Sequence, residues 1–181
     1  AIGGVVNLVP RRGAGKAFAP YFDVSAGSLE TYRGVEGAAG TIGGFTYGAT
    51  VDALTTEGFD QVPERFAAHT GHEDGSDMYS FTGNGAYAFS ETLSIDALVR
   101  HRSSRADFDS FSGGIFFDQR ADDPDLEIDS DDYTVWRVGG TLTTGDFVTR
   151  LSGGQVLNER REHDGGVVTT TIEGERNFLD L

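Results

Sequence analysis

Apolar and polar residues alternate with a period of two along most of this chain. In 45–55, for example, the odd positions up to 53 are Phe, Tyr, Ala, Val and Ala, and the even positions are mostly Thr, Gly and Asp. Because successive side chains of a β-strand point to opposite faces, this pattern predicts strands with one apolar and one polar face. The pattern recurs in 18–28, 32–41, 45–55, 78–89, 93–102, 133–143 and 147–157.

The connections between these predicted strands differ in length in a regular way. From the second connection on, tight turns alternate with longer loops, so antiparallel strands would carry the tight turns at one end and the long loops at the other. A transmembrane β-barrel sorts its connections in this way, whereas a soluble β-sandwich has no reason to do so. The short connections are 28–31, 42–44, 90–92 and 144–146, and the longer ones are 57–77, 103–132 and 160–166.

Charge and aromatic residues follow the same division. Of the 29 Asp and Glu residues, six lie in the loop 57–77 and ten in the loop 103–132. The net charge of −15 argues against nucleic-acid binding, since a phosphate backbone needs a basic face. Aromatic residues cluster near the ends of several predicted strands, as they do at membrane interfaces. These are Tyr79, Phe81, Tyr87, Phe89 and Phe147.

Together these patterns predict an all-β fold, an antiparallel transmembrane β-barrel of which about seven or eight strands are present. A soluble β-sandwich also alternates, but its core prefers large aliphatic residues, and the apolar positions here are rich in aromatic and small ones. A complete eight-stranded outer-membrane barrel fits the length. Against it, the chain opens abruptly, and its last residues, NFLDL, lack the terminal aromatic residue that such barrels usually carry.

No motif in the sequence points to catalysis. The chain contains no Cys, which excludes a thiol nucleophile, a disulfide scaffold and a Cys-ligated zinc site. It also lacks the nucleophile-elbow, Walker and dinucleotide-binding motifs. His69 and His72 have the H-x-x-H spacing of some zinc sites, with an exposed pair of loop residues as the alternative. We therefore expect that this protein is not an enzyme.

Four arginines fall largely on the polar positions of the predicted strands, among Ser and Gly. They suggest a polar barrel lumen, although simple pairing with neighbouring acidic residues would explain them equally well. These residues are Arg100, Arg102, Arg137 and Arg150.

The opening residues AIGGVVNLVPRRG resemble the end of the plug domain of TonB-dependent outer-membrane receptors. In that family a turn of the form A-x-G-G-V-x-N precedes the last plug strand and a basic residue, and 27–60 is similar to the first barrel hairpins. The resemblance covers essentially the whole chain as a fragment, with 1–13 as the end of the plug and 14–181 as the N-terminal part of the barrel. Since the family's barrel has about 22 strands, roughly a third of the wall is present.

The two long loops are similar to those of the vitamin B12 (cobalamin) receptor branch of that family. The shared motifs are G-F-D at 58–60, an acidic cluster ending in D-G at 72–75, F-D-S at 108–110 and D-Q-R at 118–120. His72 departs from the family, which more often has an acidic residue there. The resemblance implies that Ser110 contacts the ligand and that Ca²⁺ is bound by Asp60, Asp74, Asp109 and Asp118.

Calcium is chemically reasonable in such loops, because it takes six to eight oxygen ligands and would remove the repulsion between their carboxylates. The alternative is a pair of acidic loops that are simply solvated.

We expect a receptor in the outer membrane of a Gram-negative bacterium, surrounded by lipid. Its external loops would capture a scarce nutrient, and a TonB energy-coupling complex would act through an N-terminus that is missing here. Cobalamin is the expected substrate, and an iron-siderophore receptor or a non-transporting barrel are the alternatives.

Overall fold

The computed structural model describes residues 13, 15–60, 62, 64–65, 69, 71–112, 119–121 and 126–181, and of those within 110–130 it describes the backbone only. Within them every regular element is a β-strand. The strands are β1 Ala19–Ala26, β2 Tyr32–Ile42, β3 Phe45–Phe59, β4 Asp74–Ala88, β5 Leu93–Asp107, β6 Ser110–Ser112, β7 Gln119–Ala121, β8 Leu126–Thr144, β9 Phe147–Asp164 and β10 Val167–Asp180.

Eight of the strands form one sheet in the order β1-β2-β3-β4-β5-β8-β9-β10, and all neighbours in it are antiparallel. The prediction of an all-β antiparallel fold is therefore confirmed. The eight described strands do not close on themselves, because β1 and β10 each pair on one side only. A separate hairpin, β6 with β7, lies within the connection between β5 and β8.

The strands run further than the apolar alternation predicts. The strand β3 continues to Phe59, β5 to Asp107 and β9 to Asp164, and β8 begins at Leu126. The predicted loops 57–77, 103–132 and 160–166 were therefore too long. The reason is that backbone hydrogen bonding between strands continues where both faces carry polar side chains. Such segments have no apolar alternation from which the strand could be predicted.

The connections are sorted between the two ends of the sheet. The tight-turn end carries residues 43–44, 89–92 and 145–146, and the long-loop end carries 27–31, 60–73, 108–125 and 165–166. The two longest connections do lie at one end, as predicted. The turn at 165–166 is shorter than expected because Gly165 and Gly166 both adopt positive φ, at 55° and 76°, which allows a two-residue hairpin.

The sheet has an apolar face and a polar face, and the apolar one is the more exposed. Phe22 and Val138 on the apolar face are 83% and 53% exposed, whereas Ser80 and Ser152 on the polar face are buried. Among the described side chains, the only buried apolar ones are Ala39 and Val62. The aromatic residues are therefore not enclosed between two sheets, as a β-sandwich would require.

The strand β10 does not keep this division between the two faces. A one-residue register shift lies between Val168 and Thr170, and a shift of one exchanges the two faces of a strand. As a result Phe178 lies opposite Gly154 on the polar face, and Glu175 lies opposite Leu157 on the apolar face. The sequence of β10 has no clear apolar alternation, which is why it was not among the seven segments predicted as strands.

Residues 1–12, which form most of the predicted plug segment, lie outside the described residues. The division into a plug end and a barrel part therefore stays a prediction.

Candidate functional site

The candidate site lies at the long-loop end of β3, β4 and β5. Phe59 at the end of β3 pairs with Asp74 at the start of β4, so Asp60 and Asp74 come from adjacent strand ends. Asp109 follows two residues after Asp107, the last residue of β5, and β5 is the other neighbour of β4. The topology thus brings three of the four predicted calcium ligands to the same end of the sheet.

Gly58 explains how the start of β4 comes so close to β3. Its φ of 73° is in the left-handed region, and a Cβ at this position would overlap the carbonyl oxygen of Asp74. Glu57 and Gly58 together face Gly75 at a register shift, which is a β-bulge with glycine in the left-handed conformation. The glycine of the G-F-D motif therefore has a backbone role that positions the acidic residues around it.

Asp60 is engaged in local interactions. Its Oδ1 accepts a hydrogen bond from the backbone N–H of Val62 at 2.6 Å, and its Oδ2 lies 2.5 Å from Nδ1 of His69. The same His69 nitrogen is 2.8 Å from the carbonyl oxygen of Val62, whose side chain is buried. The carboxylate of Asp60 therefore stabilises a turn at Val62, and the ring of His69 packs against the same turn.

Asp74 and Asp109 carry carboxylates that solvent does not reach. Both side-chain oxygens of each residue are inaccessible, and Asp109 as a whole is 9% exposed. Burial of carboxylates is costly unless charge or hydrogen bonding compensates it. Within the described part of the chain, however, no three His, Asp or Glu side chains are grouped closely enough to hold a metal ion.

The remaining two predicted site residues are placed less completely. Asp118 lies outside the described residues. Ser110 is the first residue of β6 and pairs through its backbone with Ala121, and only its backbone is described.

A group of glutamates at the same end was not predicted. Glu30 and Glu73 raise the pKa of Glu57 above its ordinary value, Glu30 having the larger effect. Glu30 approaches because its turn is held to β3, where the backbone N–H of Glu57 and the hydroxyl of Thr56 both donate to the carbonyl oxygen of Leu29, at 3.1 and 3.0 Å. The pairing of β2 with β3 could have indicated this proximity, because it brings the turn after β1 beside the end of β3.

The polar face carries ion pairs between neighbouring strands. Arg33 makes two hydrogen bonds to Asp52, of 2.9 and 2.7 Å. Two of the arginines singled out in the sequence are also paired, and each bond joins adjacent strands. They are Arg137 with Asp96 and Arg102 with Asp131. The interpretation that the arginines pair with neighbouring acidic residues is therefore correct for Arg102 and Arg137, and both lie on the polar face.

The described residues form an all-β structure, in which an eight-stranded antiparallel sheet stays open and the solvent-inaccessible carboxylates of Asp74 and Asp109 lie at the end that bears the long loops. Among the described residues, no helix is both long and apolar enough to cross a membrane. Comparison of the chain with known protein families, curated proteins and solved structures gave no match in any of the three.

Proposed function

We propose that this chain forms part of the wall of a TonB-dependent outer-membrane receptor, which takes up a scarce nutrient and is not an enzyme. The observation that carries the proposal is the exposure of the apolar face beside a more buried polar face. Exposure of such an apolar face to water is unfavourable, and soluble proteins rarely leave large contiguous apolar areas uncovered. In a membrane, lipid would cover the apolar face and the strand ladder would satisfy the backbone.

The lengths of the strands support a position across a membrane. A transmembrane strand needs about 9–11 residues, and β3, β4 and β5 each have 15. On β3 the apolar face runs from Phe45 to Ala53, a stretch that we call the apolar band. The rest of the strand, towards Phe59, would project beyond the lipid on the side of the long loops. In outer-membrane barrels the longer loops are external.

Aromatic side chains at the tight-turn end support the same arrangement. Phe45 lies directly opposite Tyr87. The ring of Phe45 stacks on Tyr47 with centroids 6.0 Å apart, and Tyr87 meets Phe89 edge to face at 4.8 Å. Phe147 at the same end is 79% exposed. An aromatic girdle at the membrane interface has this composition and placement.

The polar face and the free edges support a larger barrel. Arginine and aspartate pairs suit the polar lumen of an outer-membrane barrel. The outer edges of β1 and β10 are unpaired within the described strands, and an open edge in lipid would leave backbone groups without partners. We therefore propose that further strands complete the wall, and that a plug and a TonB energy-coupling complex act with it.

For the substrate we propose cobalamin, held by the long loops, with Ser110 as a contact. Calcium would be held by Asp60, Asp74 and Asp109 together with Asp118. What supports this is that the first three residues lie at the same end of the sheet, and that solvent does not reach the carboxylates of Asp74 and Asp109. When bound, Ca²⁺ would neutralise these carboxylates and order the loops.

Two measurements on the protein at its natural full length test the proposal. Flotation with vesicles should show stable insertion, and a protein that stays in the aqueous fraction would overturn the membrane assignment. Calorimetric titration with cobalamin should then show binding that falls by at least about tenfold when a chelator removes calcium. Asp109→Asn should give the same loss, with Asp146→Asn in a tight turn as the control. Cobalamin binding that ignores the chelator would refute the calcium role, and binding of a siderophore instead would refute the choice of substrate.

A further inference from the structure

The apolar face of the sheet changes character along a single row of residues. A row here is a set of directly opposite residues, which crosses the sheet at right angles to the strands and is named by its member on β3. The row of Ala53 carries no charge on β1 to β5, and it is acidic on β8 to β10. Its members are Val24, Gly34, Ala53, Tyr79, Ser103, Asp132, Glu159 and Glu173.

The loop-side limit of the apolar residues therefore differs from strand to strand. The three acidic residues line a groove of about 670 Å³ together with Leu157, which is the last apolar residue of β9 on this face. Strand pairing places Leu157 in the row of Val51. On β1 the apolar residues continue to Ala26, in the row of Thr55. From β1 to β9 the limit thus moves from position 55 to position 51 of β3, which is four residues.

The limit at the tight-turn end moves in the same direction. On β1 the first paired residue of the apolar face is Pro20, in the row of Ala49. On β9 the first is Phe147, which lies four residues beyond Leu151, the β9 member of the row of Phe45. This limit thus moves from position 49 to a level equivalent to position 41, which is eight residues.

The drift has the size that tilted strands require. Four residues at one limit and eight at the other average to six over the six strand steps from β1 to β9, or about one residue per strand. With about 3.3 Å per residue and about 4.8 Å between strands, the apolar region is inclined at about 35° to the rows. Transmembrane strands tilt by about 35–45° from the membrane normal, so a membrane crosses their rows at a similar angle.

Aromatic residues at the tight-turn end follow the same inclined line. If the rows were parallel to the membrane, Phe147 would lie four residues further out than Phe45. Four strand steps separate β3 from β9, so a drift of about one residue per strand brings both rings to the same depth. Aromatic side chains at a membrane interface share a common depth.

We propose that the boundary of the lipid hydrocarbon crosses this sheet obliquely and moves towards the tight-turn end by about one residue per strand from β1 to β9. Val24 then lies among acyl chains, whereas Glu159 of the same row lies at the level of the head groups. The acidic groove is thereby kept out of the hydrocarbon, where charged side chains are costly. The proposal rests on the proposed membrane function and adds which residues of the apolar face contact acyl chains.

The test compares the depths of two labels in one row. Val24→Cys and Glu159→Cys are made separately in the full-length protein, from which any other cysteine has been removed, and each carries a fluorophore. The protein is inserted into phosphatidylcholine vesicles whose acyl chains carry bromine at different positions. Six strand steps of about 4.8 Å at a tilt of about 35° place the label at position 24 about 17 Å closer to the bilayer centre. Rows parallel to the membrane would give equal depths.

Two further measurements serve as controls. Ser25→Cys is matched to Val24→Cys but lies on the polar face, opposite Arg33, so bromine on the acyl chains should not quench its label. Labels at Phe45→Cys and Phe147→Cys should have the same depth although the two positions belong to different rows.

The two proposals fail in different ways. If bromine on the acyl chains quenched neither the label at position 24 nor the one at position 45, the membrane function would be overturned. Quenching at position 24 with an equal or greater depth at position 159 would overturn the oblique boundary alone. A label at position 147 lying four residues further out than the one at position 45 would also overturn it, because the rows would then be parallel to the membrane.

Discussion

Two β-bulges at the long-loop end of the sheet have very different consequences. One lies between β3 and β4, where Glu57 and Gly58 oppose Gly75. The other lies between β9 and β10, where Thr169 is the extra residue between Val168 and Thr170. Each shifts the register by one residue, which exchanges the faces of everything that follows it on that strand.

The position of the bulge along the strand decides its effect. In β3 the bulge comes after the apolar band, so the alternation from Phe45 to Ala53 keeps its apolar side outward. In β10 the bulge comes at the start, so it determines the face on which every later residue of the strand lies. Glu175 consequently lies on the apolar face, where it accepts hydrogen bonds from Gln155 and Asn177, both at 2.9 Å. A bulge near the end of β3 thus changes only the orientation of its last side chains, whereas a bulge near the start of β10 changes the orientation of nearly all of them.

The largest effect is expected from removing the glycine of the first bulge. Gly58→Ala should destabilise the protein by about 1–3 kcal/mol, because the residue adopts positive φ and its Cβ would overlap Asp74. Chemical unfolding measures the change. Gly34→Ala on β2 is the control, since a Cβ there meets nothing within 4 Å. If both variants lost the same stability, the bulge would have no special role.

A smaller effect is expected from removing the second bulge, because β9 is the only neighbour of β10 among the described strands. Deletion of Thr169 should bring β10 into the register that exchanges its faces, so Ile172 joins the apolar face and Glu175 leaves it. The hydrogen bond from the Thr169 hydroxyl to the carbonyl oxygen of Glu162, at 3.1 Å, is lost as well.

Single cysteines can report this exchange, because residues 1–181 contain no Cys of their own. A fluorophore on Cys at position 172 should become accessible to a lipid-soluble quencher only after the deletion, and one at position 175 should lose that access. A fluorophore at position 157 on β9 should not change. Unchanged quenching at both β10 positions would contradict the role of the bulge.

The contrast between the bulges also explains how much of the fold could be predicted from sequence. Alternation in β3 predicted the strand and its faces correctly, because apolar and polar residues occupy a regular register with the neighbours. The polar sequence of β10 shows no such alternation. Nothing in the sequence indicates that Thr169 is the extra residue of a bulge. Register shifts depend on pairing with another strand, which a single sequence does not contain.

The candidate site was predictable to a similar extent. Strand order alone places Asp60, Asp74 and Asp109 at one end, since antiparallel neighbours bring alternate connections together. The approach of Glu30 to Glu57 was missed because it depends on how the turn after β1 is held against β3. The hydrogen bond between Asp60 and the backbone of Val62 could not be predicted either, because it depends on the backbone conformation of the loop.

The smallest expected effect concerns Glu57, which the first bulge presents to Glu30 and Glu73 on the loop side of the apolar band. These neighbours raise the pKa of Glu57 above the ordinary 4.5. The folded protein therefore holds more protons than the unfolded chain between pH 4.5 and the raised pKa, so its stability falls as pH rises through that window. Glu57→Gln should remove this part of the pH dependence, leaving the variant more stable than the natural protein at neutral pH and equal to it below pH 4.5. Denaturant midpoints measured across the window test this, with Glu91→Gln in a tight turn as the control. A variant that follows the natural pH profile, or that gains stability equally at acidic pH, would show that the repulsion among these three glutamates does not act on the folded state.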